Sequence, residues 1–76
     1  MITLKVTRNA LEGSNVRYFY QIYNDDTLVA DGLSYLRTSN QSQAEVQSAL
    51  EAIKQPYVDA LNIVNQNPDP LVGMVI

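Results

Sequence analysis

A chain of 76 residues with 46% apolar and 17% charged residues is a folded globular chain with room for one domain, residues 1–76. Histidine and cysteine are both absent, which excludes disulfides, thiolate nucleophiles, imidazole acid–base chemistry and the usual zinc and iron–sulfur ligands. The formal charge of -3 leaves only Lys5, Arg8, Arg17, Arg37 and Lys54 as cations, too few for a phosphate-binding face, so nucleic acid is not an expected partner.

Ile2, Leu4 and Val6 alternate with Thr3, Lys5 and Thr7, the period of a strand with one dry and one wet face. The stretch Leu11-Glu12-Gly13-Ser14-Asn15 is turn material, and residues 16–23 form a second strand rich in β-branched and aromatic types. Asn24-Asp25-Asp26 supplies another turn, where Asx side chains bond nearby backbone. A third strand over residues 27–36 contains Gly32, which marks a bulge and would let Leu28, Ala30, Leu33 and Tyr35 share one face. Three strands joined by two short turns predict an antiparallel meander.

A helix follows. Ser42-x-x-Glu45 matches a capping box, and Val46, Ala49, Leu50, Ile53, Tyr57, Ala60, Leu61 and Val64 recur at steps of three and four. Pro56 interrupts this stripe without shifting its phase. Either one helix bends near Pro56 or a second helix starts there. The preserved phase favours one bent helix, although an interior proline removes a backbone bond and crowds the preceding turn. Asn67-Pro68-Asp69-Pro70 ends it, because each proline biases the residue before it towards extended geometry. The chain closes on Leu71-Val72-Gly73-Met74-Val75-Ile76, an apolar run expected to add a fourth strand or to exchange between subunits. The expected fold class is α+β, β-β-β-α-β, with the meander packed on one long helix.

Meander, helix and last strand in this order are similar to the first half of the ribonuclease H fold, with Glu45 at the place of an acidic metal-binding residue in that family's first helix. The family's first strand carries a metal-binding aspartate, and here that strand is ITLKVT, so the resemblance implies a shared arrangement without the activity.

One helix covers one side of a sheet. With Val16, Tyr18, Tyr20 and Ile22 turned to it, Arg17, Phe19 and Tyr23 fall on the open side beside Lys5 and Thr3. Exposed aromatics among cations can stack bases, but the shortage of charge favours a protein interface or a second small core under the C-terminal segment. Tyr35 and Arg37, with Tyr18, Tyr20 and Arg17, could instead give polar ends to a ligand pocket between subunits. Asp25, Asp26 and Asp31 are close in sequence, yet adjacent aspartates at a hairpin tip usually diverge, and no metal site is expected. No nucleophile–base pair and no phosphate-cradling glycine loop occurs, so neither an enzyme nor a cofactor is expected.

A core this small rarely supplies more than about 3–5 kcal/mol, and with disulfides and histidine or cysteine metal sites excluded, self-association is the available reinforcement. The expected function is a non-enzymatic protein-interaction module acting as a homo-oligomer, by class analogy an accessory or phage-type modulator. Leu71, Val72, Met74 and Val75 are its expected interface. The alternative is a nucleotide or metabolite binder. No stretch approaches the ~18 apolar residues of a membrane span, and a cytoplasmic setting is the expected one.

Overall fold

A computed structural model describes all residues, Met1–Ile76. Three strands, β1 (Ile2–Glu12), β2 (Asn15–Asn24) and β3 (Thr27–Arg37), form an open antiparallel sheet in the order β1-β2-β3, followed by one helix, α1 (Gln43–Val64). The α+β meander expected from the alternation is therefore present. The hairpins are tighter than the turn composition suggests. Only Gly13-Ser14 and Asp25-Asp26 lie between strands, with Gly13 at φ 61 and Asp25 at φ 51. Both tight turns need a left-handed first position, which glycine adopts freely and aspartate tolerates.

Register is interrupted by bulges. In β1, Val6 pairs with Tyr20 and Arg8 with Phe19, so Thr7 is the extra residue. Its hydroxyl donates to the Phe19 carbonyl at 3.1 Å. In β3, Tyr20 pairs with Leu33 and Ile22 with Ala30, which puts two residues, Asp31 and Gly32, opposite Gln21. Gly32 takes φ 69 there, and its N–H donates to the Asp31 carboxylate at 2.8 Å. A second β3 irregularity at Val29 was not anticipated. It pairs Leu28 with Tyr23, so Leu28 leaves the face of Ala30, Leu33 and Tyr35 and stands on the open side.

Helix α1 begins at Ser42, whose side chain accepts from the Glu45 N–H at 3.2 Å while Glu45 accepts from the Ser42 N–H at 3.3 Å, the reciprocal capping box. The helix continues through Pro56 as one element. Its stripe meets the sheet in a core of Ile2, Tyr20 and Ile22, flanked by Leu4, Leu33, Leu50, Ile53, Tyr57 and Leu61, with Val46 buried nearer the helix start. Only these four residues, Ile2, Tyr20, Ile22 and Val46, are buried, and of them Ile22 alone is fully so.

The C-terminal segment departs from the expected fourth strand. The Asp69 carboxylate accepts from the Leu71 N–H at 3.0 Å, and turn bonds join Val72 N–H to the Asp69 carbonyl and Met74 N–H to the Leu71 carbonyl. Side-chain and turn bonds thus satisfy the backbone that a strand would have offered to the sheet. Residues 71–76 are exposed throughout, and the molecule as a whole is elongated, 51 Å in its longest dimension.

Candidate functional site

The open face of the sheet holds most of the residues first suspected. Cross-strand partners share a face, which places Thr3 beside Tyr23, Lys5 beside Gln21, Arg8 and Ser34 beside Phe19, and Ala10 and Leu36 beside Arg17. The bulge at Thr7 shifts the parity of β1, so Arg8 joins this face although simple alternation from Thr3 and Lys5 puts it opposite. No residue type in ITLKVTRN signals the bulge, and Arg8 escapes sequence reasoning for that reason.

The face is knitted rather than bare. The Arg8 guanidinium lies 3.6 Å from the Phe19 ring centroid, covering one side of the ring. Arg17 donates through Nε to Glu12 at 2.8 Å and through Nη1 to the Ser34 hydroxyl at 2.8 Å, tying all three strands together. The Tyr23 hydroxyl donates to Gln21 Oε1 at 2.8 Å, and Gln21 Nε2 donates to Asp31 at 3.1 Å. Phe19, Tyr23 and Arg17 are half-buried. Lys5 is exposed and enters no ion pair.

Tyr35 and Arg37 lie on the other side of the sheet, opposite Tyr18 and Val16 and under the start of α1. Arg37 donates to the Tyr18 hydroxyl at 2.9 Å, and through Nε and Nη2 to the Gln41 carbonyl at 3.2 and 3.1 Å. Gln41 in turn donates to the Tyr35 hydroxyl at 2.9 Å. The guanidinium fork therefore clamps the end of β3 to the loop that launches α1. Beside it lies a groove of about 370 Å³ between β1 and the first turns of α1, with Val6, Tyr18, Val46 and Leu50 as apolar wall. Arg37 has five N–H donors and uses three, so two remain for the groove. The candidate residues thus divide between two faces.

Burial, with a smaller contribution from Tyr57, raises the Tyr20 phenol above its ordinary value of 10.0. Asp25, Asp26 and Asp31 do not converge, and no three acidic side chains gather in a way that could hold a cation.

The residues expected at an interface sit apart from both faces. Leu71, Val72, Met74 and Val75 are all exposed, Val75 to 97% of its full surface. Only Val72 approaches the body, closing a shallow groove with Val64 and the loop after α1. No helix is long and apolar enough to cross a membrane. No family model, no curated protein and no solved structure matches the chain.

Proposed function

We propose that this protein is a non-enzymatic interaction module that acts as a homo-oligomer, in the manner of small accessory or phage-type modulators. What supports this is the area left uncovered. The chain exposes 5659 Å², about 1,000 Å² more than the roughly 4,650 Å² that a folded monomer of this mass presents. That excess is the scale of one partner's share of a standard interface, about 800 Å². The radius of gyration, 16.0 Å against about 11 Å for a compact chain of this length, points the same way. The excess is apolar where it counts: thirteen large hydrophobic residues are exposed, five of them in residues 71–76.

The solution mass tests the proposal. The intact chain is expected to run as a dimer or larger species by light scattering, and Val72→Asp with Met74→Asp is expected to yield a monomer that keeps its helix by circular dichroism. An intact chain that stays monomeric at high concentration would end it.

The groove beside Arg37 favours a second function, capture of a small anionic ligand with an apolar body by the two free Arg37 N–H groups and the Tyr18 hydroxyl. A ligand of that chemistry would raise the melting temperature of the wild type and not of Arg37→Met, whereas a pure assembly module shows no shift with either.

A further inference from the structure

The helix is displaced from the middle of its sheet. Of the three strands, β1 is the one whose backbone most closely approaches α1, and β1 is an edge. An apolar helix stripe buries most area when strands lie on both sides of its axis. Here one flank of α1 has Tyr20, Leu33 and Tyr35 beneath it and the other flank has no strand. That flank is a groove of about 430 Å³, lined by Ile2, Leu4 and Val6 from β1 and by Leu50, Glu51 and Lys54 from α1. Its floor includes the outer edge of β1, whose hydrogen-bonding groups have no partner strand, the usual template for adding another segment.

Residues 71–76 match this groove in length and pattern. Six extended residues reach about 20 Å, enough to run alongside residues 2–6 of β1, which span about 14 Å. In an extended tail Val72, Met74 and Ile76 share one face, suited to Leu50 and the apolar side of β1, while Gly73 and Val75 turn the other way. The segment contains no charge and no proline. Its present shape rests on two backbone turn bonds of 3.2 and 3.1 Å and one bond from Asp69, little to give up against a row of ladder bonds. The tail is exposed along its whole length, so it is accessible to a neighbour. The roughly 1,000 Å² of surplus surface fits a reciprocal exchange, in which each copy both gives a tail and receives one.

We infer that residues 71–76 of one copy lie extended along the outer edge of β1 in a second copy, beneath α1, as a fourth strand of its sheet. The inference rests on the self-association proposed above and adds its location. The partner is a second copy of this chain.

The absence of cysteine makes a clean test. Lys5→Cys and Val75→Cys change exposed side chains, and full-length copies of the two variants are mixed, treated with a short bismaleimide and resolved by mass. The expected product joins Lys5→Cys to Val75→Cys, in clear excess over either self-linked product, and is lost when Val72→Asp and Met74→Asp are added. Self-linked Lys5→Cys would mean that β1 edges pair directly, and self-linked Val75→Cys that tails meet tails. Either result overturns the placement while leaving self-association intact. So would an uncrosslinked mixture whose mass is still dimeric. A single chain carrying both Lys5→Cys and Val75→Cys that closes on itself, with no product in the mixture of single variants, would put the tail in its own groove. A monomeric mass throughout would overturn both the placement and the proposal beneath it.

Discussion

Ile22 is the one side chain fully removed from water, and it sits where β2 meets both its neighbours and the helix. In so thin a core the loss of three methyl(ene) groups is expected to cost about 2–5 kcal/mol, which is most of what the fold has. Ile22→Ala should therefore be largely unfolded at 25 °C, by urea titration followed by circular dichroism. Tyr20 gives a pH signature. Its phenol pKa is raised in the fold, so above pH 10.0 the unfolded chain releases this proton while the folded chain retains it. Stability from this group is complete below the unfolded value and declines as pH rises through 10 towards the folded value. Tyr20→Phe is expected to flatten that decline above pH 10.0 and to change little at pH 7.

At the scale of elements, the helix is the best specified. Its start is set by a reciprocal side-chain cap, and its stripe keeps phase across Pro56, so packing of Ile53 and Tyr57 on the core holds the two halves in one helix. The proline remains a local cost, because it has no N–H for the preceding turn. Pro56→Ala should raise stability by about 1–3 kcal/mol and lift the melting temperature by several degrees, with no change in helix position. The strands carry a weaker code. Gly32 announces one β3 bulge, and with it the shared face of Ala30, Leu33 and Tyr35. The bulges at Thr7 and Val29 fall on ordinary strand residues and have no announcement. Each moves downstream or upstream side chains across the sheet, which is how Arg8 and Leu28 reach the open face.

For the whole molecule, the decisive quantity is apolar surface against the means to cover it. One helix leaves the outer flank of β1, the end of α1 and the last six residues in water. If association covers them, stability becomes a function of concentration. The melting temperature is expected to rise by several degrees between 5 and 500 μM chain, roughly, and to become independent of concentration in Val72→Asp with Met74→Asp. The open face adds Leu28 and Leu36 to this uncovered surface. Its Phe19, Tyr23 and Arg17, first suspected as a docking patch, are occupied by Arg8, Gln21, Glu12 and Ser34. The alternation of β2 placed them on that side, but nothing in it could say that neighbours from β1 and β3 would engage them.

From its sequence alone this chain determined its three strands and helix, their order, the helix cap and the inward faces of β2 and α1, because alternation, stripe and capping are set by residues within a few positions of one another. The tertiary structure alone decided the bulges at Thr7 and Val29, the separation of Tyr35 and Arg37 from Arg17, Phe19, Tyr23 and Lys5, and the turns that leave residues 71–76 exposed. Those depend on which backbone groups find partners across strands, and a competition between distant segments is not written in any one of them.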